Sequence, residues 1–573
     1  MQWKARYEEW LQQLPINDPL RVQLSEVQRD KRQLEDCFYK YLEFGTGGMR
    51  GIIGPGTNRM NLYTVRKLAA GLASYIEIQG EDAKKRGVVI SYDSRKFSRE
   101  FAEEVAKTIG FRNVKSYVFD SLHPTPLLSF AVRHLGAFAG IMITASHNPP
   151  EYNGLKVYGE DGAQLTPNAA DVIVSYMDQV DNEINIESRS LEELEAKELL
   201  VWIGDEVDKA YLNQLKEIQL SSVEEKSNLS IIFTGLHGTG TPIAKKAFDA
   251  LCYQNVIYVE EQAVPDPQFT TAPTPNPEET EAFNLAIQYG YRNGAELLLA
   301  TDPDADRLGI AVKKKDGKYQ LLTGNQIGAI LIQYILERRQ KSGKLPGNGV
   351  ILKTIVTTEL AKAIAEKYGI ETVDTLTGFK FIAENIEAIN TTNERQFLFG
   401  YEESYGFLVS DFVRDKDAIQ AAVLVAEAAT YYRQQRRSLL DILNSLFNQH
   451  GYHKEVTRSI KLEGKDGAEK ISRIMDEFRQ NTPSALGSLK IRRSEDYQSG
   501  DMFDFFTSEI CSLTLPKSNV LKYILEDESW ICIRPSGTEP KIKFYIGVKA
   551  ETIKGTEEKL TRLEEDLLNR VTI

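Results

Sequence analysis

A chain of 573 residues is longer than a single hydrophobic core usually organises, and at roughly 100–200 residues per domain it predicts three to five domains. Its 42% hydrophobic and 26% charged content, with 40 glycines and 20 prolines, excludes a disordered or low-complexity polymer. Against 82 acidic residues stand 69 Lys and Arg, a formal charge of −13 that disfavours nucleic acid and anionic membrane as partners and obliges any anionic substrate to find a locally basic cleft.

The amino terminus, Met1 to Glu9, lacks an apolar signal core, and the first forty residues, rich in charge, Leu, Trp and Tyr, read as a helical arm packed on the first α/β block. In that block a strand over 87–92 precedes a helix over 98–110, and a strand over 139–144 breaks into the polar, proline-stopped loop Ser146-His147-Asn148-Pro149-Pro150. The charged segment 182–207 separates it from a second block, in which a strand at 230–234 leads through a glycine-rich turn to a helix at 242–252. A further strand at 295–300 runs into Asp302-Pro303-Asp304-Ala305-Asp306-Arg307, and the turn 313–317 closes the block. Strand 349–356 with helix 357–368, and strand 396–400 with a long helical region 416–447, form a third. Strand and helix alternate throughout, the pattern of parallel α/β units.

After 448 the pattern changes to strands at 457–462, 530–534 and 541–548 with helices near 467–479 and 551–570, an α+β arrangement. The predicted division is 1–205, 206–318, 319–448 and 449–573. Four scattered cysteines, Cys37, Cys252, Cys511 and Cys532, contain no CxxC pair, which argues against a disulfide framework or a zinc cage and for a cytoplasmic protein. The longest apolar helical candidate, 418–432, is interrupted by Glu427, so no membrane span is expected.

Three clusters carry chemistry. An alcohol is a poor nucleophile at neutral pH, so a phosphate-carrying Ser146 needs a nearby base and cations; His147 and Lys156 are local candidates, and Asn148 can donate to phosphate. Asp302, Asp304 and Asp306 sit on alternate residues at a strand end, where three carboxylates can converge on one hard cation. An EF-hand is excluded, because Arg307 and Lys313 stand where its glycine and glutamate belong. Carboxylates beside phosphate favour Mg²⁺, with manganese as the alternative. In Arg534-Pro535-Ser536-Gly537-Thr538-Glu539-Pro540, backbone N–H groups can form an anion nest while Arg534 supplies a fork for a non-reacting phosphate.

Thr144-Ala145-Ser146-His147-Asn148-Pro149-Pro150, the Asp302–Arg307 run, Gly400-Tyr401-Glu402-Glu403-Ser404-Tyr405-Gly406 and the 534–540 run occur in an order and spacing that resemble the α-D-phosphohexomutase superfamily, most nearly its phosphoglucomutase branch. The resemblance extends from about residue 40 to the end. It implies a heart-shaped, four-domain α/β architecture of three related α/β domains with mixed sheets and a C-terminal α+β domain, each giving one loop to a cleft. It also implies Ser146 as phosphoserine and metal ligand with the three aspartates, Glu402 and Ser404 as sugar readers, and Arg534, Ser536, Gly537 and Thr538 as the phosphate site. By the same resemblance Arg50, in Gly45–Gly51, touches the reacting phosphate, Asp93 and Arg95 support the serine loop, Arg307 supports the metal loop, Lys156 is an acid/base, and Thr377, Gly378 and Lys380 read sugar orientation.

Two departures stand out. Gly406 occupies the place where the phosphomannomutase/phosphoglucomutase branch tends to carry histidine, and Lys416 resembles a phosphoglucomutase-branch lysine although one residue is inserted between it and Ser404. The implied activity is interconversion of α-D-glucose 1-phosphate and glucose 6-phosphate through glucose 1,6-bisphosphate, with Mg²⁺, in a monomer or homodimer. A phosphopentomutase, a phosphomannomutase, a bisphosphate synthase and a non-catalytic sugar-phosphate sensor are the alternatives.

Overall fold

The computed structural model describes residues 2–45, 48–221, 229–462, 464–536 and 541–571. They form two compact units: one of residues 1–322, 383–393 and 404–435, the other of 323–382, 394–403 and 436–573. Among the described residues no helix is long and apolar enough to cross a membrane.

In the first unit the arm is three helices, Gln2–Gln13, Pro19–Val27 and Lys31–Phe38, the last two capped by Asp18 and Asp30. Trp3, Trp10, Leu14, Leu24, Leu34 and Phe38 bury against Tyr63 and Ile184, so these helices pack on the first sheet's helical layer. That sheet runs Gly48–Ile52, Tyr152–Tyr158, Ala139–Ile143, Val88–Tyr92, Ser116–Phe119, Leu200–Ile203. The four strands from Ala139–Ile143 onward are mutually parallel, and the two central ones, Ala139–Ile143 and Val88–Tyr92, are buried on both faces, which only helix-covered sheets permit. The first two strands pair antiparallel, making the sheet mixed. Leu62–Gln79, started by an Asn61–Thr64 capping box, lays Val65, Leu68, Leu72 and Ile76 into the core. The charged segment 182–207 is not a bare connection: it holds the helix Leu191–Ala196 and the edge strand Leu200–Ile203.

The second sheet, in the same unit, runs Tyr319–Leu322, Leu308–Lys313, Leu297–Thr301, Ile231–Thr234, Val256–Tyr258. Leu297–Thr301 and Leu308–Lys313 form an antiparallel pair whose connection is the aspartate run, and 313–317 is the turn of the next hairpin. The helical region 416–447 is two helices, not one: Ala418–Gln434, capped by Asp417, and Leu439–His450, capped by Ser438 with Asp441. Arg436 between them is left-handed at φ 58°, which ends the first helix.

The second unit contains the parallel strands Glu371–Thr375, Gly349–Thr354 and Gln396–Tyr401. It also contains an antiparallel sheet ordered Tyr452–Lys461, Lys541–Ala550, Trp530–Pro535, Leu521–Leu525, Leu489–Asp496, Asp501–Asp504, Glu509–Ser512. Ile491, Tyr523, Ile531, Phe544 and Ile546 share a core with Ile474, Met475 and Phe478 of helix Gly464–Gln480 and Leu563 and Leu567 of helix Ile553–Val571. The α/β then α+β sequence of classes is as expected; the strands between 489 and 525 had no counterpart in the pattern.

Candidate active site

Buried strand Ala139–Ile143 delivers Ser146 at its carboxyl end, the edge where loops of parallel sheets meet ligands. Ser146 is left-handed at φ 52°, a conformation costing a non-glycine residue about 1–3 kcal/mol unless its surroundings fix it. They do so fully. Its N–H donates to Thr144 Oγ1 at 2.8 Å, and Thr144 Oγ1 donates to Asp93 Oδ2 at 2.6 Å. Asp93 also accepts from Ser98 Oγ at 2.7 Å and from the Arg95 N–H at 3.0 Å. The Arg95 guanidinium donates to four loop carbonyls: Ser146 at 2.6 Å, Pro149 at 2.9 Å, Tyr152 at 3.0 Å, and Asn148. Arg50, exposed, donates to Asn148 Oδ1 at 2.9 Å.

The serine hydroxyl donates to Asp302 Oδ2 at 2.7 Å and lies 3.3 Å from His147 Nδ1. Burial, reinforced by the Arg307, Arg50 and Arg95 cations, pushes His147 well below the usual histidine range, so the ring is neutral. Asp302, Asp304 and Asp306 are at most 1% exposed, and one oxygen from each lies within 4.8 Å of the others. Ala305 between them is left-handed at φ 50°, turning the run back so that the carboxylates converge. Gly238 makes room for it: a Cβ there would lie 2.3 Å from Pro303 Cα.

Each carboxylate is covered on one side. Asp302 Oδ1 accepts the N–H groups of Asp306 and Arg307, both at 3.1 Å. Asp304 Oδ2 accepts from Lys156 Nζ at 2.7 Å and Thr125 Oγ1 at 2.8 Å; Asp306 Oδ2 accepts from Lys156 Nζ at 3.0 Å and faces Lys416 Nζ at 3.2 Å. Asp304 Oδ1 and Asp306 Oδ1 are buried without a hydrogen-bond partner. Orphaned anionic oxygens are costly in a low-dielectric site, and a hard cation would satisfy both. Burial and the Asp304 and Asp306 charges push Asp302 well above the carboxylate range, a second sign that the site is short of positive charge. The three aspartates therefore fit a divalent metal. Burial alone would lower Lys156, but Asp304, Asp306 and Asp415 outweigh it and hold the ammonium above the ordinary lysine value. Arg307 pairs with Glu278 and lies 3.9 Å from Asp306.

Thr125, Thr144, Tyr158 and Asp415 belong to this cluster and were not anticipated. For Thr125 the signal was there: a hydroxyl bracketed by Pro124 and Pro126 at the head of an apolar helix. Ser404 is half-buried in the same unit, ahead of Tyr405, whose carbonyl accepts the Leu308 N–H at 3.0 Å.

The second unit holds the remaining expected residues. Glu402, 7% exposed, accepts the Gly378 N–H at 2.8 Å; Gly378 is at φ 118°, a backbone state that favours glycine. Arg534, on strand Trp530–Pro535, donates to Thr377 Oγ1, just ahead of helix Phe379–Thr392, whose first turn holds Lys380, so the expected loop over 377–380 is half helix. Lys380 is buried, its ammonium 5.4 Å from the Phe381 ring centroid. The Ser536 N–H donates to the Lys541 carbonyl at 2.8 Å, while Gly537 and Thr538 lie outside the described residues.

Mixed α/β sheets that set a strand-end serine against a buried aspartate triad define the phosphohexomutase class of fold. Three domain families of phosphoglucomutase/phosphomannomutase match in order: α/β/α domain I over 41–183, domain II over 209–317 and domain III over 323–450. The phosphoglucomutase of Staphylococcus aureus strain USA300 is 38% identical over 555 residues, covering 97% of each chain, and that of Staphylococcus epidermidis is 41% identical over 510 residues, covering 89% of this chain and 91% of the other. The open form of parafusin, a Paramecium phosphoglucomutase, superimposes with a TM-score of 0.69 over 93% of this chain and 95% of that one, at 18% identity, a likeness of fold. The chain belongs to the phosphoglucomutase/phosphomannomutase family of the α-D-phosphohexomutase superfamily.

Proposed function

We infer that this enzyme is a phosphoglucomutase, interconverting α-D-glucose 1-phosphate and glucose 6-phosphate through a phosphorylated Ser146 and a glucose 1,6-bisphosphate intermediate. The observation that supports the reading most is the 2.7 Å bond from Ser146 Oγ to Asp302 inside a buried three-carboxylate cluster of the kind that could hold a metal ion. The relatives that match along nearly the full length are phosphoglucomutases, which favours glucose over mannose or pentose.

Phosphoryl transfer asks for placement and charge neutralisation more than covalent help. Bound by Asp302, Asp304, Asp306 and the phosphoserine, Mg²⁺ supplies neutralisation of the phosphoryl oxygens. Asn148 of the serine loop and Arg50, which donates to it from strand Gly48–Ile52, flank the same group. As the Ser146 Oγ–P bond breaks and the bond from a sugar hydroxyl to phosphorus forms, Oγ needs a proton and the hydroxyl loses one. Lys156, held as an ammonium by Asp304 and Asp306, donates the proton that Oγ takes up, and Lys416, as the neutral amine, takes the proton that the sugar hydroxyl loses. Glu402 and Ser404 read the sugar hydroxyls, Thr377, Gly378 and Lys380 its orientation, and Arg534, Ser536, Gly537 and Thr538 hold the phosphate that is not reacting. After the bisphosphate turns round, Ser146 takes back the other phosphate.

We place the domain boundaries near 205, 318 and 448, and the enzyme in the cytoplasm, in keeping with four free cysteines. The test is turnover of glucose, mannose and ribose 1-phosphates in parallel, with Mg²⁺ and priming glucose 1,6-bisphosphate, repeated with Ser146→Ala and with chelator. Fastest turnover of glucose 1-phosphate, lost in Ser146→Ala and on chelation, is expected. A faster pentose or mannose reaction reassigns the substrate, and wild-type rates in Ser146→Ala refute the mechanism.

A further inference from the structure

Lys416 lies in the loop Val413-Arg414-Asp415-Lys416-Asp417, between two aspartates that are 2% and 0% exposed. Each aspartate is held by a buried tyrosine from a distant element. The Tyr158 hydroxyl, at the end of strand Tyr152–Tyr158, donates to Asp415 Oδ2 at 2.8 Å. The Tyr211 hydroxyl, on helix Asp205–Glu217, donates to Asp417 Oδ2 at 2.8 Å and Oδ1 at 3.0 Å. We propose that Tyr158 and Tyr211 are positioning residues that clamp the backbone on either side of Lys416 and so fix where its Nζ stands, an inference that rests on Lys416 carrying a proton in the phosphomutase reaction.

The backbone bonds are those of a fixed loop. Asp415 Oδ1 accepts the N–H of Lys416 itself at 2.8 Å. The Asp417 N–H donates to the Phe407 carbonyl at 2.8 Å, while its carboxylate caps helix Ala418–Gln434 through Ile419 and Gln420 at 2.9 and 3.0 Å. The Ala418 N–H donates to the Ala305 carbonyl at 3.2 Å, tying the end of the loop to the aspartate run. Upstream, the Arg414 N–H donates to Ser129 Oγ at 2.9 Å.

The side chain is steered as well. A Cβ on Gly406 would lie 2.1 Å from Lys416 Cδ and 2.8 Å from its Cγ, so residue 406 can have a side chain or Lys416 can take this path, but not both. On this path Nζ stands 3.2 Å from Asp306 Oδ2 and 3.8 Å from Asp415 Oδ1. Lys156 and Tyr158 are alternate residues of one strand and face the same way, so that strand sends one side chain to the carboxylate triad and the other to the Lys416 loop. The Tyr211 ring packs edge-on against Phe130, on helix Thr125–Leu135, and against Phe412, the residue leading into the loop, with centroids at 5.7 and 5.6 Å, so the ring is held from outside the loop as well as from its start. Burial and the paired carboxylates push both phenols well above their usual range, so each keeps the proton that it donates to its aspartate. Removing either hydroxyl leaves a buried carboxylate oxygen short of a donor and frees one side of the loop.

The experiment is a double-mutant cycle on kcat with the full-length enzyme. Tyr158→Phe is expected to lower kcat about 10- to 100-fold, the cost of misplacing a proton-transfer group by of the order of 1 Å, with KM for glucose 1-phosphate within about twofold of wild type. In a Lys416→Met background the same change is expected to cost nothing further, because a residue that acts through Lys416 has nothing left to place. Tyr211→Phe provides a second, independent arm should Tyr158→Phe fold poorly, as read by circular dichroism. Equal losses in both backgrounds, or wild-type kcat in both tyrosine variants, overturn the clamp while leaving Lys416 in its role. A Lys416→Met enzyme with wild-type kcat overturns the role itself, and the clamp with it.

Discussion

Arg95→Lys tests whether the serine loop is held by a guanidinium fork or simply by a positive charge. The Arg95 and Asp93 side chains are fully buried, 3.3 Å apart, and Arg95 serves the carbonyls of Ser146, Asn148, Pro149 and Tyr152. Lysine keeps the charge facing Asp93, so the variant avoids the roughly 3–5 kcal/mol that removing one partner of a buried pair costs. It cannot keep the fork. One ammonium on an unbranched stem leaves at least two of the four carbonyls without a donor, and a hydrogen bond to a charged group contributes about 1.5–3 kcal/mol. Because the four share one guanidinium the losses do not add, and about 3 kcal/mol is the expected weakening of the loop. Local opening should then be about a hundredfold more populated. Hydrogen exchange reads this at the N–H groups of Ser146, Asn148 and Tyr152, all bonded inside the loop. With the serine oxygen no longer fixed, kcat should fall by a similar factor of about a hundred. Exchange within about threefold and kcat within about twofold of wild type would show that charge alone suffices, and the fork argument would fail.

If Arg534 holds the non-reacting phosphate as proposed, Arg534→Ala should chiefly raise KM for the sugar phosphate, by about 10- to 100-fold, the cost of losing a charged fork; steady-state kinetics in which KM stays unchanged would count against that assignment. Gly406→Ala places a methyl where Lys416 Cδ now lies and should lower kcat with little change in thermal stability, as kinetics and calorimetry would show together. In the second unit, burial raises Glu455 to about 7 against hydrogen bonds from Thr358 and Asn325, so the folded state holds a proton that the unfolded state has released. Stability from this group is greatest in acid and is lost as pH rises from about 4.5 through 7, hence Glu455→Gln should raise the thermal midpoint at pH 8, by of the order of 1–3 kcal/mol in stability, and change little at pH 4.5. Equal effects at both pH values would contradict the assignment.

What the chain discloses in its sequence is what it writes in one contiguous stretch. The serine loop, the aspartate run and the 534–540 run each concentrate their chemistry within ten residues, and the strands that deliver the first two are buried apolar runs, Ala139–Ile143 and Leu297–Thr301, visible as such. Strands whose partners lie far off are hidden. Gly48–Ile52 is polar and glycine-containing, and it becomes a strand because Tyr152–Tyr158, a hundred residues later, pairs with it. The hairpin of Asp501–Asp504 and Glu509–Ser512 has no buried face to impose an alternation, so nothing in its pattern set it apart from a loop. Helical periodicity continues across 435–438, which is why two helices read as one; the Ser438–Asp441 capping box was the stop-and-start signal.

The positioning layer of the site is the least legible part, and the reason is geometric. Thr125 reaches Asp304 across 179 residues, Tyr158 reaches Asp415 across 257 and Tyr211 reaches Asp417 across 206. A tyrosine ending a strand or lying on an amphipathic helix is in pattern a core residue, and both tyrosines are also that; only the fold shows where their hydroxyls end. Gly406 is the converse case. In sequence it marks an absent histidine, whereas in the structure its missing Cβ is the space through which Lys416 passes. An absence in one loop and a lysine ten residues later are thus two halves of one steric fact, so a change at either position has to be read with the other.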